Sequence, residues 1–379
     1  MNKFKDDIAI VGVAESDQLG IVPSKSALQH HAEAGYNALE DAGLRKEDVD
    51  GLFTTGWSTL TTAEYMGIKP SFTDSTYVGG SSFIIHVAHA VAAINAGYCE
   101  VALITHGQTG RSSRGRLEAD TNTPNAQYEI PYGFIGAPIM YSLSCSRYMH
   151  EFGEQRTREA MAEIAISTRK WAQLNPKALM REPLTFEDYH NSRWISWPFH
   201  LLDCCLLTDA GAAVVITKAS LAKTLRKPPV FVIGASEWHE HDIISQMPNL
   251  TSFPAKRTGQ KAMEMAGITH KDIDLTMVYD SFTYTVLLTL EELGFCGKGE
   301  APDFVKGGRT APGGDFPLNT SGGGLSYTHP GRYGIFLIVE AVRQLRNEAD
   351  ARQINDCNIA LVNGTGGILS STGTIILSK

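Results

Sequence analysis

Ionisable side chains in unusual surroundings are the first places to look for chemistry. His329 sits between Thr328 and Pro330 at the end of the glycine-rich run Gly322-Gly-Gly-Leu-Ser-Tyr-Thr328, a setting in which an imidazole more often serves a site than a core. A second glycine-rich turn, Asn363-Gly-Thr-Gly-Gly367, lets backbone N–H groups come close to a ligand, as does Gly80-Ser81 at a helix start. Tyr279 and Asp280 close an apolar run. The phenol is an acid–base group of ordinary pKa about 10, and the carboxylate either orients a neighbour or makes a turn. Tyr327 and Tyr333 flank the His329 loop, as pocket lining or as packing aromatics. His86 and His89 lie on an apolar stretch and are read as structural. The six cysteines are scattered, with no CxxC pair and no metal-ligand spacing, so reduced, mostly buried thiols and no metal are expected.

The elements that must position these groups come from a chain of 379 residues, 43% hydrophobic, enough for about two or three domain-sized units. A net charge of -8 without a dense Lys/Arg run argues against nucleic acid as the main partner, while leaving room for a local basic groove. The charged start Met1 to Asp7 runs directly into Ile8 to Val13, without a secretory apolar region. No run approaches the about 18 apolar residues of a membrane span, and a cytoplasmic protein is expected.

The two ends of the chain echo each other. Ile8-Ala-Ile-Val-Gly-Val-Ala-Glu15 pairs with Val230-Phe-Val-Ile-Gly-Ala-Ser-Glu237, each read as a buried strand closed by a glycine. Ala38-Leu-Glu-Asp-Ala-Gly-Leu44 pairs with Ala262-Met-Glu-Met-Ala-Gly-Ile268, each a helix with a glycine stop followed by a strand. Phe83 to Asn95 and Gly334 to Leu345 are matched buried helices, and each half ends on a β-branched strand, Ala213 to Thr217 and Gly373 to Leu377. Repeated strand–helix alternation predicts a mixed, largely parallel sheet used twice, in halves 1–220 and 228–379. Residues 111–203 have no counterpart and read as an inserted loop domain, with a helix over Ala160 to Leu174 stopped by Asn175-Pro176.

Over almost its whole length the chain resembles the thiolase superfamily, closest to its lipid-transfer-protein or sterol-carrier-protein branch. The resemblance rests on Arg147-Tyr-Met-His-Glu-Phe-Gly153, Ala172-Gln-Leu-Asn-Pro176, Asp209-Ala-Gly-Ala-Ala-Val-Val215, Gly322-Gly-Gly-Leu-Ser-Tyr-Thr-His-Pro330 and Gly366-Gly367. It implies a duplicated βαβαβαββ fold in five layers, α-β-α-β-α, each half a five-stranded sheet packed through its central helix. It also implies that the family's nucleophilic cysteine falls at Gly80 and its second catalytic cysteine at Gly364, so both thiols are missing. The family's Asn-Glu-x-Phe motif becomes Tyr279-Asp-Ser-Phe282, and its Gly-His-Pro histidine survives as His329.

A tyrosine at position 279 resembles the thiolase-like retro-aldolases of steroid side-chain degradation, which work with a small zinc-ribbon/OB-fold partner. Those enzymes carry a second tyrosine where this chain has His329, which leaves the acyl group open among steroidal, aromatic and short branched chains. The resemblance implies carbon–carbon cleavage of a β-hydroxyacyl-CoA, with Tyr279 handling the hydroxyl proton and His329 serving the thioester oxygen or the enolate carbon. Gly80, Ser81, Gly366 and Gly367 would supply oxyanion donors, with Asp280 and Tyr327 beside the pocket. CoA enters only as part of the substrate. The segments Arg111 to Arg116 and Trp194 to Pro198 would cover its pantetheine arm. A homodimer through the edge near Ser71 to Gly79 is expected, enlarged to a heterotetramer by the partner. Two other readings stay open: an acyltransferase with a displaced cysteine or serine, and a non-catalytic lipid or acyl-CoA carrier.

Overall fold

The computed structural model describes residues 7–113 and 122–379, so the expected charged start before Asp7 and the cover segment at 114–116 lie outside the described residues. The strands are β1 (Ile8–Glu15), β2 (Gly51–Phe53), β3 (Phe72–Asp74), β4 (Val101–Thr109), β5 (Trp194–Ser196), β6 (Phe199–His200), β7 (Asp209–Lys218), β8 (Val230–His239), β9 (Leu275–Val278), β10 (Ile359–Gly366) and β11 (Ser371–Ser378). Nine of them hydrogen-bond in the order β3-β2-β4-β7-β1-β8-β11-β10-β9, and β5 pairs with β6 apart from the rest. The two halves meet where β1 touches β8 at two residue pairs, Ala9 with Phe231 and Ile10 with Val230.

Helices separate the half-sheets into layers. Helices Ser82–Ala96 and Gly334–Leu345 share one core with the inner faces of both halves. The outer face of the first half packs on helix Ala27–Ala42, and that of the second on Ala255–Ala266 and Thr283–Glu292. The result is the five-layered α-β-α-β-α thiolase arrangement. Local chemistry agrees with it: Ser26 and Gln29 form a capping box at the start of Ala27–Ala42, and left-handed Gly43 and Gly267 end the matched helices.

Two expectations need correction. The sheet is mixed but mostly antiparallel, since only β2 with β3, β2 with β4, and β9 with β10 run parallel. β10 turns straight into β11 with no crossover helix, and a direct hairpin makes the pairing antiparallel. The second half also has four strands, not five. At the fifth position a single bridge joins Thr276 to Leu318, because the stretch there is Pro- and Gly-rich and Pro317 has no N–H to extend a ladder.

Within the inserted segment the helix expected from Ala160 starts earlier, spanning Glu154–Gln173, and stops before Asn175-Pro176 as expected. Helix Ala137–Phe152 precedes it, and Phe199 of β6 stacks on Phe282 at 4.7 Å. No helix among the described residues is long and apolar enough to cross a membrane.

The matched glycines are where strand and helix come closest. Both β1 and β8 carry a bulge one residue before the glycine, at Val11 and Ile233. A Cβ on Gly12 would collide with the Ala38 carbonyl oxygen, and one on Gly234 with that of Ala262. Gly234→Ala is therefore expected to destabilise by about 1–3 kcal/mol through overpacking, and Gly12→Ala similarly. Denaturant melts showing either variant as stable as wild type would contradict this close approach.

Candidate active site

Strand β9 ends at Val278, and the next residue turns its ring into the crevice between the halves. Tyr279 is buried, its backbone N–H bonded to the Asn363 carbonyl, so β10 fixes where the phenol points. Its oxygen accepts the backbone N–H of Tyr333 at 3.0 Å and lies 2.9 Å from His329 Nε2. In the Nδ1–H tautomer of His329 the phenol O–H donates to Nε2 while the phenol oxygen accepts the Tyr333 N–H. Burial pushes Tyr279 well above its ordinary value, with the nearby Cys205 and Asp280 adding to the rise and the Tyr333 N–H opposing it. Burial pulls His329 down to about 4, so both partners are neutral near pH 7.

The imidazole is aimed by backbone. A π-helical turn, Gly323–Tyr327, leads into Thr328, whose hydroxyl lies 2.9 Å from Thr208 Oγ1. The His329 N–H donates to that Thr208 oxygen, and the His329 carbonyl accepts the Thr208 N–H. Asp280 lies beneath this turn, accepting N–H bonds from Gly324 at 2.8 Å and Leu325 at 3.2 Å. A Cβ on Gly323 would collide with the Asp280 carboxylate, which is why this left-handed position must be glycine. Burial drives the Asp280 carboxyl up to about 7 despite those two N–H bonds.

The pair opens onto a cavity of about 750 Å³, lined among others by Gly80, Arg169, Cys205, Tyr279, His329 and Gly367. Its walls are mainly apolar, with Met180, Ile195, Leu206 and Leu325 among them. A Cβ at Gly80 would collide with the edge of the Tyr279 ring and stand 2.5 Å from the Thr365 carbonyl oxygen. The phenol therefore fills the room that a side chain at Gly80 would need.

The remaining candidates separate. Gly80 and Gly367 line the cavity; Ser81 and Gly366 do not. Ser81 Oγ is spent on the Val78 carbonyl and on Ser371 Oγ, and Gly366 is a packing glycine against the Val78 carbonyl. Tyr327 is corrected from pocket to framework: its hydroxyl donates to Glu15, which is also held by Arg343 and Lys177. Asp280 orients the turn and is absent from the cavity lining. His86 bonds the Thr76 carbonyl, and His89 bridges Asp74 and Glu237. Of the cover segments, Arg111 and Ile195 reach the cavity.

Sequence reasoning missed Cys204, Cys205, Tyr141 and Arg169 as lining residues. Their signal is three-dimensional, since the extended run 204–208 is laid between Ser281, Gly324 and His329 by N–H bonds from Cys205, Leu206 and Thr208. Burial pushes the Cys204 thiol up to about 12 and Cys205 higher still, leaving neither as an activated nucleophile.

Residues 236–379 match the family model for a thiolase C-terminal domain-like region. The chain is 35% identical to the 17-hydroxy-3-oxo-4-pregnene-20-carboxyl-CoA lyase of Mycobacterium tuberculosis, over 94% of this chain and 96% of the relative. It is 36% identical to the steroid side-chain-cleaving aldolase of Thermomonospora curvata, over 90% and 91% of the two chains. The chain belongs to the thiolase-like aldolases. It is a carbon–carbon lyase of the acyl-CoA-handling type, not an ordinary thiolase. Among solved structures, the Ltp2-ChsH2(DUF35) aldolase superposes with a TM-score of 0.90 at 33% identity, covering 99% of this chain and 98% of that one. Human mitochondrial 3-ketoacyl-CoA thiolase, at 14% identity and a TM-score of 0.72, shares the fold.

Two outcomes follow for this aldolase. Because Asp280 holds its proton to about pH 7 when folded against about 3.9 when unfolded, the cost of ionising it appears as pH rises through that window. Stability should thus fall with pH between about 4 and 7 more steeply in wild type than in Asp280→Asn, read from denaturation at each pH. Equal slopes would mean the carboxyl is not buried as described. Gly80→Cys should lose activity without forming an acyl-enzyme, by displacing the Tyr279 ring. Mass spectrometry that found the introduced thiol acylated would contradict this steric account.

Proposed function

We propose that the protein cleaves the Cα–Cβ bond of a β-hydroxyacyl-CoA by a retro-aldol reaction, with a steroid side chain as the acyl group. The observation that carries this is the neutral Tyr279–His329 pair standing over Gly80 in place of a nucleophile. The steroid acyl group is inferred from the names of the relatives and is supported by the largely apolar cavity wall.

In this reading a tyrosinate is not needed. The substrate hydroxyl passes its proton to Tyr279 Oη while the phenol passes its own to His329 Nε2. The O–H electron pair becomes the new carbonyl, and the Cα–Cβ pair becomes the thioester enolate. The imidazolium then returns the proton through Tyr279 to the enolate carbon, releasing a ketone or aldehyde and a shortened acyl-CoA. Burial favours the relay, because it penalises a phenolate and keeps the imidazole neutral at pH 7, so that in the Nδ1–H tautomer Nε2 is free to accept the proton. CoA is part of the substrate in this scheme, with no separate cofactor. The cavity-lining glycines Gly80 and Gly367 are the backbone positions open to the thioester oxygen.

The assembly belongs to the same proposal. The neighbour named for an Ltp2-ChsH2(DUF35) complex supports a small zinc-ribbon/OB-fold partner here. A homodimer would pair the edge strand β3, which has a neighbour on one side only and exposes Tyr77 and Leu60 nearby. The division at 1–220 and 228–379 is supported by the matching bulges of β1 and β8. A cytoplasmic location is part of the proposal.

Tyr279→Phe should lower turnover by roughly 10²–10⁴-fold while retaining affinity for the acyl-CoA product, measured by mass spectrometry of the released carbonyl compound with and without the partner. Full activity in this variant, or no carbonyl product from any β-hydroxy thioester tested, would defeat the aldol reading and favour the carrier reading. Labelled acyl-enzyme would instead favour acyl transfer. Light scattering should give at least a dimer of this chain; a monomer at micromolar concentration would remove the proposed β3 interface.

A further inference from the structure

One cation inside the cavity is unexplained by the chemistry. Arg169, on helix Glu154–Gln173, is 5% exposed and lines the cavity. Its Nε donates to Ser326 Oγ at 2.9 Å and one terminal nitrogen donates to the Glu182 carbonyl at 3.0 Å. Among the described residues these are its only hydrogen bonds; no carboxylate lies within salt-bridge distance of it, and the Glu182 charge acts on it from farther off. A guanidinium has five N–H donors, and removing it from water without an anion is costly unless another acceptor completes it. The other arginines of the cavity, Arg111 and Arg193, are less buried.

We propose that Arg169 forms a subsite for a carbonyl or carboxylate oxygen on the acyl group, away from the bond that breaks, and so selects among acyl chains. This rests on the proposed acyl-CoA reading of the cavity. A phosphate would fit the same donors, but it is strongly hydrated and suits the more open Arg111 and Arg193. A ketone oxygen is more readily desolvated against Met180 and Leu325, and a carboxylate enters only as an ion pair with the guanidinium. The planar fork matters, since lysine offers a point charge without paired donors.

The test compares two β-hydroxyacyl-CoA substrates of the same shape, one bearing a distal ketone and one hydrocarbon in its place. Arg169→Met should lower kcat/KM for the ketone by roughly 10–100-fold, mainly through KM, and change the hydrocarbon by less than about threefold. Arg169→Lys should recover only part of the preference and carries the test if the Met variant does not fold. Equal losses on both substrates would overturn the proposal, leaving Arg169 as a staple to Ser326. A loss that disappears when pantetheine thioesters replace CoA thioesters would overturn it in favour of a phosphate receptor. If wild type cleaves neither substrate, the aldol reading fails separately. The subsite is then judged by equilibrium binding of the corresponding non-hydroxylated acyl-CoAs, where an unchanged ketone preference in Arg169→Met would refute it.

Discussion

The contact between the Tyr279 ring and the backbone at Gly80 governs the rest of the site. The phenol ring lies where the first side-chain atom of residue 80 would have to be, so a nucleophile and this tyrosine exclude each other. Without a covalent step, chemistry must pass through proton transfer and charge stabilisation alone. The same crowding extends along the central layer. A Cβ on Gly334 would collide with the Gly80 carbonyl oxygen, and one on Gly364 would stand 2.7 Å from Ile84 Cγ1. The glycine at 364 has a packing reason as well as a chemical consequence: a side chain there would require the Ile84 side chain to shift.

Burial then determines the protonation states. A single buried polar region holds Tyr279, His329, Asp280 and Cys205, and in each of them desolvation is the largest cause of the shift. All four shifts favour the neutral form. This suits a reaction that moves a proton from substrate to protein and back without holding a fixed charge beside the developing enolate. Apart from the Arg169 guanidinium in the cavity wall, the buried charges of the central layer are paired: Glu15 sits between Arg343 and Lys177, and Glu340 is bonded by Arg352. There the attraction of the partner guanidinium and ammonium outweighs burial, and the Glu15 carboxyl is held well below the usual range.

Much of this arrangement is legible in the sequence. Gly12 with Ala38, and Gly234 with Ala262, stand in equivalent close approaches, so the sequence echo reflects a steric requirement that both halves share. The Tyr279–His329 pairing is legible only through resemblance, because the two residues are fifty positions apart and meet across a π-helical turn without periodicity. Strand direction is not legible, since strand–helix alternation says nothing of the hairpin between β10 and β11. Nor is the side of the loop that Tyr327 occupies: within the turn Gly323–Tyr327, Leu325 faces the cavity and Tyr327 faces Glu15.

The inserted segment supplies one wall of the cavity and the layered body the other. Tyr279, Asp280 and His329 come from the second half, each tied by bonds to backbone N–H or carbonyl groups, and Gly80 comes from the first. The cavity walls opposite them come largely from the insertion: Ala137, Pro138 and Tyr141 from one helix, Arg169 from the next, Met180 from the loop beyond and Ile195 from β5. These walls rest on the body through side chains. Tyr141 packs on Phe282 at 4.9 Å and donates to the Gly367 carbonyl, while Phe199 stacks on the same Phe282 ring. Phe282 follows Tyr279 by three residues, so the ring that seats the insertion is on the same short turn as the Tyr279 phenol. A change in wall residues can therefore reshape what the cavity admits while the phenol stays in place, whereas a change at Phe282 would disturb both.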